Sequence, residues 1–504
     1  MKAAVAVIDF GSQYTQLIVR RVRELGFFAK LFQPGDLEAA RESHAVILSG
    51  GPRSVSETDA PDIDFAKLRA MNAPVLGICY GMQLLNTKWG GQVSPGTTRE
   101  YGPARLFPEG GDVLLEGVSR GSQIWMSHSD TVSTLPAGTE VLARNQEGVP
   151  VALRWPDRCY GIQFHPEVSH SQDGMRILRN FLTHAPGLRR FEIGSFRDEM
   201  LESLRAEVDG REVVCAVSGG VDSTVLAVLL HRAGVRIHPL FVDNGLLRKG
   251  ESEEVLKQFE GLGIALSRVD AADRFLDVLK GVSDPEEKRR RIGDTFIKVF
   301  FDEAGSIDLL AQGTLYPDVI ESATSGSIAS RIKTHHNRVD RILELKEEGK
   351  VIEPLAELFK DEVRALGRSL DIPDAVLYRH PFPGPGLGVR VPGEVTREKL
   401  EILREADVVF IENLRKHGWY DRVWQAYAAL LPVRTVGVKG DERSYEFAVS
   451  LRAVVSEDAM TADWVELPWE VLRETSNQIL NGVRGVNRVL YDISTKPPAS
   501  IEWE

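Results

Sequence analysis

The sequence predicts an α/β fold: two doubly wound, mainly parallel-sheet domains followed by a small α+β domain. Short apolar strands alternate with amphipathic helices through most of the chain, as in parallel sheets that are covered by helices. This alternation lapses before Arg190 and then restarts, and the last quarter of the chain has longer strands instead. A chain of 504 residues is also too long for one domain of ordinary size.

The predicted elements divide the chain at residues 1–188, 189–380 and 381–504. In the first domain, strands are expected at 4–8 and 45–48 and a helix at 13–25. In the second, strands are expected at 212–217, 237–242, 264–269 and 307–312, with a helix from Ser223. In the third, strands are expected near 434–438, 445–455 and 488–493. The Pro/Gly-rich run 380–388 cannot continue a helix or a central strand, so we expect it to end the second domain or to line a site.

Composition excludes several classes of function. The net charge of -12 argues against non-specific binding of nucleic acid, although it does not exclude a local basic pocket for a phosphorylated small molecule. Three cysteines are too few for a disulfide framework or a zinc cluster, which favours the cytoplasm. No apolar stretch approaches the length of a membrane span, and the N-terminus lacks a signal-peptide pattern.

Cys79 lies between a predicted buried strand and a predicted helix, with Gly77 and Gly81 on either side. A strand-turn-helix elbow needs small flanking residues so that a nucleophile can project from the turn. A helix N-terminus lowers the pKa of a thiol and favours the thiolate. A lone cysteine is more often inert. Here, however, His165 later in the same domain supplies a base, and Glu167 supplies a carboxylate that can orient the imidazole of that base.

Cysteine, histidine and glutamate, in a domain that opens with the segment 9–14 (DFGSQY), resemble the class I glutamine amidotransferases. The resemblance implies that Cys79 attacks the glutamine amide, that His165 transfers the proton, and that Glu167 fixes the imidazole tautomer. The amides of Gly51 and Tyr80 would stabilise the oxyanion. The implied glutamine-binding residues are Gln83, Ser127, His128 and Asp130.

The segment 217–224 (VSGGVDST) occupies a predicted strand-to-helix turn, where glycine amides and a helix N-terminus form a nest for an anion. It is not a Walker A loop. It resembles the loop of the ATP pyrophosphatases, which hold pyrophosphate while a substrate oxygen attacks the α-phosphorus. We expect Mg²⁺ with the ATP, and Asp222 as its protein ligand. The expected ATP-binding residues are Ser218, Gly219, Gly220, Val221, Asp222, Ser223, Thr224, Val242, Asp243, Gly313, Lys333 and Lys360.

The acceptor is indicated by motifs in the last part of the chain. Segments 437–443, 487–494 and 496–504, together with 312–322 and 380–388, closely resemble the GMP synthetases. The resemblance implies xanthosine 5'-phosphate (XMP) as acceptor and a homodimer formed through the C-terminal domain. The implied XMP-binding residues are Arg289, Asp441, Arg443, Lys496, Ile501 and Glu502.

Two alternatives belong to other classes. The chain could be another amidotransferase of the ATP pyrophosphatase type, such as an NAD synthetase, because the phosphate loop alone does not specify the acceptor. It could also be a non-catalytic nucleotide-sensing scaffold. The presence of Cys79, His165, Glu167 and the whole phosphate loop argues against a sensor, which does not need all of them.

Overall fold

The computed structural model describes residues 4–318, 339–439, 442–456 and 461–504. Two compact units are present, Met1–Glu192 and Ile193–Glu504. The separation lies close to the first predicted domain boundary, and the boundary at 380/381 remains a prediction. No helix among the described residues is long and apolar enough to cross a bilayer.

The first unit contains a nine-stranded sheet in the order β2-β1-β3-β4-β9-β8-β7-β5-β6. The five strands from β2 to β9 pair in parallel, and the remaining strands extend the sheet as antiparallel neighbours. Its strands are β1 Val5–Ile8, β2 Ala29–Phe32, β3 Ala45–Leu48, β4 Val75–Ile78, β5 Gln92–Pro108, β6 Ser122–Thr134, β7 Glu140–Asn145, β8 Pro150–Trp155 and β9 Cys159–Ile162. Its helices are α1 Thr15–Glu24, α2 Phe65–Ala70, α3 Tyr80–Lys88 and α4 Gly174–Thr183, with a 3-10 turn at Val113–Leu115.

The second unit begins with a five-stranded parallel sheet in the order β12-β11-β10-β13-β14. The strands are β10 Glu212–Val217, β11 Arg236–Asp243, β12 Ser267–Asp270, β13 Leu309–Ala311 and β14 Val351–Ile352. The accompanying helices are α5 Ile193–Val208, α6 Val221–Arg232, α7 Glu251–Gly261, α8 Ala272–Leu279, α9 Pro285–Ala304, α10 Val339–Glu347, α11 Lys360–Ser369 and α12 Asp374–Leu377.

A second, smaller sheet completes this unit. Its long hairpin, β15 and β16, pairs with β17 and, in parallel, with β18. The strands are β15 Gln425–Lys439, β16 Glu442–Val455, β17 Asp463–Trp464 and β18 Val486–Tyr491, and the helices are α13 Arg397–Lys416 and α14 Trp469–Gly482, with 3-10 turns at Gly386–Arg390 and Tyr420–Arg422. A continuous apolar core joins α13 and the hairpin to residues after β11. The predicted fold class is confirmed.

Several boundaries differ from the sequence-based expectation. The strand expected at 264–269 begins only at Ser267, because the Ile264 N–H donates to the Phe259 carbonyl oxygen at the end of α7 and is not available for the sheet. The strand expected at 434–438 is the outer half of a much longer strand that begins at Gln425. The antiparallel strands β5 to β8 were not expected from the sequence.

Three buried cations hold the C-terminal segment against the second unit. Arg390 makes two hydrogen bonds to the carboxylate of Glu502, at 2.9 and 3.0 Å, and Lys288 contacts Glu504. Arg452 donates to the carbonyl oxygens of Ser494, Ser500 and Ile501. Burial of a charge is costly unless it is paired, so these contacts fix the segment in place.

Candidate functional site

The turn that carries Cys79 is a strained elbow between β4 and α3. Cys79 has a φ of 52°, in the left-handed region that residues with a side chain seldom adopt. A Cβ on Gly77 would lie 2.5 Å from backbone atoms of Gly81, and a Cβ on Gly81 would lie 2.5 Å from the Leu48 carbonyl oxygen. The two glycines are therefore required by close backbone approach, as the sequence predicted.

His165 lies beside this elbow and is oriented by Glu167. Its Nδ1 donates to Glu167 Oε1 at 2.7 Å, which leaves Nε2 for the thiol of Cys79. Both side chains are almost completely buried. Burial lowers the pKa of His165, but the charge of Glu167 and hydrogen bonds to Cys79 and Glu167 outweigh it and raise the pKa to about 10. The ring is thus a ready acceptor of the thiol proton.

The thiol and imidazole open into a cavity of about 520 Å³. Its wall includes all the predicted oxyanion and glutamine-binding residues: Gly51, Tyr80, Gln83, Ser127, His128 and Asp130. Tyr80 begins α3, so its backbone N–H has no acceptor within the helix. Gln83 Nε2 donates to the Asp130 carbonyl oxygen at 2.9 Å. The structure brings these residues together, and their individual roles remain predictions.

A second cavity, of about 420 Å³, lies at the carboxyl end of β10 in the second unit. The predicted residues Ser218, Gly219, Gly220, Val221, Asp222, Val242 and Lys360 line it. Gly219 has a φ of 75°, and a Cβ there would lie 2.6 Å from Val255 Cγ2, so the loop needs glycine at this position. Gly220 is the N-cap of α6, which directs the helix N-terminus at the cavity.

Other predicted ATP-binding residues do not line this cavity. Ser223 hydrogen-bonds to Ser218 and Gly220, and the Thr224 hydroxyl donates to the Gly220 carbonyl oxygen at 2.8 Å, so both shape the loop from behind. Asp243 pairs with Arg268 at 2.8 Å. Gly313 lies next to Asp222. Lys333 lies outside the described residues.

Three charged groups in the cavity wall were not predicted from the sequence: Glu251, Arg364 and Arg379. Arg379 pairs with the buried carboxylate of Glu251 at 2.5 Å. Arg364 follows Lys360 by one helical turn, a spacing that places both on one face of α11 and could have revealed it. Arg379 directly precedes the Pro/Gly-rich run 380–388. Most of this run lines the cavity, which was one of the two roles expected for it. Nothing in the sequence signals Glu251.

The predicted XMP-binding residues are dispersed over the second unit. Glu502 is engaged by Arg390 and also accepts from Gln425 Nε2 at 2.6 Å, and Gln425 in turn donates to the Pro381 carbonyl oxygen in the cavity wall. Ile501 packs in a small apolar cluster with Trp424, which lines the same cavity. Arg443 is exposed, Lys496 is half-buried, and Arg289 contacts Glu504. Asp441 lies outside the described residues.

Comparison with known proteins covers the whole chain. Residues 6–185 match the family "Glutamine amidotransferase class-I", and residues 412–503 match "GMP synthase C terminal domain". Proteins named "GMP synthase [glutamine-hydrolyzing]" from Nitratidesulfovibrio vulgaris and Thermosipho melanesiensis are each 51% identical, with 99% of both chains covered. One from Christiangramia forsetii is 51% identical, with 100% of both chains covered. A crystal structure of a glutamine amidotransferase from Methylobacillus flagellatus is 19% identical, with 38% of this chain and 98% of that chain covered and a TM-score of 0.31.

Proposed function

The chain belongs to the glutamine-hydrolysing GMP synthases, and from that premise we propose that it converts XMP to GMP with glutamine as nitrogen donor and ATP as activator. The chain matches these enzymes from end to end and contains two chemically distinct cavities, and this combination supports the proposal most strongly. One surrounds a cysteine, a histidine and a glutamate, and the other is built on an anion-binding loop.

In the first cavity, Cys79 attacks the side-chain amide carbon of glutamine. His165 takes the thiol proton and returns it to the departing ammonia, while Glu167 holds the ring so that Nε2 faces the sulfur. The amides of Gly51 and Tyr80 stabilise the tetrahedral oxyanion. Water then hydrolyses the thioester, which releases glutamate. The adjacent residues Gln83, Ser127, His128 and Asp130 bind the rest of the glutamine molecule.

In the second cavity, the loop from Ser218 to Thr224 holds the phosphates of ATP. The 2-oxo group of the xanthine ring is amide-like and a poor electrophile. Its oxygen therefore attacks the α-phosphorus and expels pyrophosphate, and ammonia then displaces AMP from C2 to give GMP. Lys360, Arg364 and Arg379 supply positive charge that stabilises the phosphates and the leaving group.

Asp222 fits a role in holding Mg²⁺. Its Oδ2 contacts Lys360, while Oδ1 is buried and has no hydrogen-bond partner among the described residues. No cluster of three or more acidic, histidine or cysteine side chains suited to a metal is found in the described part of the chain. That suits Mg²⁺, which binds through one or two carboxylates together with nucleotide phosphates. When bound, the ion would neutralise phosphate charge.

The XMP-binding residues proposed from the resemblance include Ile501 and Glu502. The contacts from this segment through Gln425 and Trp424 to the cavity wall support a position of XMP near that wall. The side chains of these two residues contact other parts of the protein. They would therefore shape the XMP pocket, or would bind XMP only after these contacts are broken. Arg289 and Lys496 are proposed as direct contacts. Arg443 pairs with Val438, at the opposite end of the β15–β16 hairpin from Gln425, so Arg443 and Asp441, two residues before it in the sequence, are proposed to contact the XMP of the partner subunit in a homodimer.

We also propose a homodimer that forms through the C-terminal region, and a cytoplasmic location. The outer half of the β15–β16 hairpin exposes apolar side chains, among them Val438 and Tyr445, which are 74% and 59% exposed. Exposed apolar surface of this kind is typical of an interaction face. The three cysteines are all free and buried, as expected in a reducing compartment.

The choice of acceptor tests this function directly. Purified protein supplied with ATP, Mg²⁺ and glutamine should form GMP from XMP and should leave deamido-NAD unchanged. Chromatography of the nucleotides, with glutamate measured in parallel, gives the result. Amidation of deamido-NAD instead of XMP would support the NAD synthetase alternative, and absence of turnover with either acceptor would support the sensor.

A further inference from the structure

A glutamate and a histidine outside the catalytic triad face each other beside the glutaminase cavity. Glu100 and His128 are directly opposite in the antiparallel ladder of β5 and β6. Glu100 Oε2 lies 3.4 Å from His128 Nε2, and the side chains are only 17% and 4% exposed. Neither of these two atoms has a hydrogen-bond partner elsewhere in the described ranges of the chain.

The position of one proton follows from the partners of the imidazole. His128 Nδ1 lies 2.9 Å from the Asp130 carbonyl oxygen, which can only accept, so Nδ1 carries a proton. In the neutral ring Nε2 is then a bare acceptor, and it faces a carboxylate oxygen that is also an acceptor when ionised. Two buried acceptors at this distance repel each other, and each is left without a hydrogen-bond donor, which is unfavourable. A single proton shared between Glu100 and His128 removes both penalties.

The protonation of this pair affects the position of Asp130, a residue of the proposed glutamine-binding wall. The Asp130 carbonyl oxygen accepts from His128 Nδ1 and also from Gln83 Nε2, and the Asp130 carboxylate is contacted by the Ser54 hydroxyl. A fixed His128 ring therefore fixes the Asp130 segment. We propose that Glu100 is a positioning residue of the glutaminase, which shares one proton with His128 and thereby holds the Asp130 segment in the geometry that binds glutamine. The inference rests on the glutaminase activity proposed above.

The charged groups around the pair favour one protonation state. Glu147 lies near Glu100, and Asp130 and His165 lie near His128. Burial and then the charge of Glu147 raise the pKa of Glu100, and the hydrogen bond from Asn145 acts in the opposite direction. Burial lowers the pKa of His128 to about 4; the hydrogen bond to the Asp130 backbone opposes this, and the positive charge of His165 acts in the same direction as burial. The shared proton therefore resides on the carboxyl group, and it is lost as the pH rises through the raised pKa of Glu100.

Glutamine-dependent synthesis in the full chain tests this with two variants and one control. Glu100→Gln supplies an amide N–H to His128 Nε2 that does not titrate, and Glu100→Ala supplies no donor. Glu109→Ala removes an exposed carboxylate of the same unit and should change nothing. For Glu100→Ala we expect the KM for glutamine to rise about tenfold, the equivalent of one lost buried hydrogen bond, with a smaller change in kcat. Synthesis from free ammonia should be unchanged.

The pH profile separates positioning from a structural role. In the unmodified chain the KM for glutamine should rise from acidic to alkaline pH, and in Glu100→Gln it should stay low and flat. Parallel pH profiles in these two proteins would overturn the inference, even if Glu100→Ala fails to fold. A glutamine KM in Glu100→Ala equal to that of the unmodified chain would also overturn it. Absence of glutamine-dependent synthesis in the unmodified chain would instead contradict the proposed function.

Discussion

Cys79→Ala is expected to abolish glutamine-dependent GMP formation while leaving formation from free ammonia largely intact. Removal of the nucleophile leaves no group that can form the thioester, and the rate should fall on the order of 10⁶-fold, as in a serine protease that loses its nucleophile. The second unit retains its anion-binding loop and can use ammonia from solution. Initial rates of GMP formation with each nitrogen source give the comparison.

Cys159→Ala is the matched control for this substitution. Cys159 is a free, buried cysteine of the same unit, but burial and the nearby charge of Asp157 raise the pKa of its thiol to about 12, so it is poorly suited to act as a nucleophile. Both rates should therefore be unaffected. Loss of both rates in a folded Cys79→Ala protein would show that glutamine hydrolysis and amination are not carried out at separate sites.

Asp222→Ala is expected to block synthesis from glutamine and from ammonia alike, by about 10²-fold or more, the usual loss when one preorganised electrostatic group is removed from an active site. Activation of XMP precedes amination, so no nitrogen source can bypass it. The carboxylate lies in the first turn of α6, lines the cavity and contacts Lys360. The same GMP assay at saturating ammonia measures the effect.

Asp198→Ala serves as the control, because this carboxylate is exposed on α5 of the same unit. An electrophilic glutamine analogue that labels Cys79 shows whether the first unit of Asp222→Ala is still folded and reactive. Substantial synthesis from ammonia in Asp222→Ala would refute a role of this residue in activation.

The geometry of the elbow around Cys79 and of the His165–Glu167 pair was predictable from sequence because its signals are local. The elbow around Cys79 depends on two nearby glycines, and His165 and Glu167 are only two residues apart. The same is true of the phosphate loop, where strand, glycines and helix are consecutive. Local patterns of this kind also predicted β1, β3 and β4 of the first sheet and β10 to β13 of the second, but not the edge strands β2 and β14.

The remaining features depend on contacts between distant segments. Arg379 lies in the segment that follows α12 in the sequence. It reaches Gly219 of the phosphate loop and Glu251 only in the folded protein. The pairing of Glu100 with His128 requires the register of β5 against β6, which contains an irregularity between residues 95 and 100. An irregularity shifts which residues face each other across the ladder, so this pairing cannot be read from the strand pattern alone. The resemblance predicts Glu502 as an XMP-binding residue, but it does not indicate that Glu502 is the partner of the buried Arg390.

Activation of the C2 oxygen of XMP by adenylation is tested most directly by the fate of that oxygen. XMP labelled with ¹⁸O at the 2-oxo position should be incubated with ATP, Mg²⁺ and glutamine, and the products analysed by mass spectrometry. Attack of this oxygen on the α-phosphorus, followed by displacement of AMP, predicts one ¹⁸O atom in the AMP phosphate for each GMP formed, with unlabelled pyrophosphate. Formation of ADP and phosphate, or AMP without the label, would contradict the mechanism.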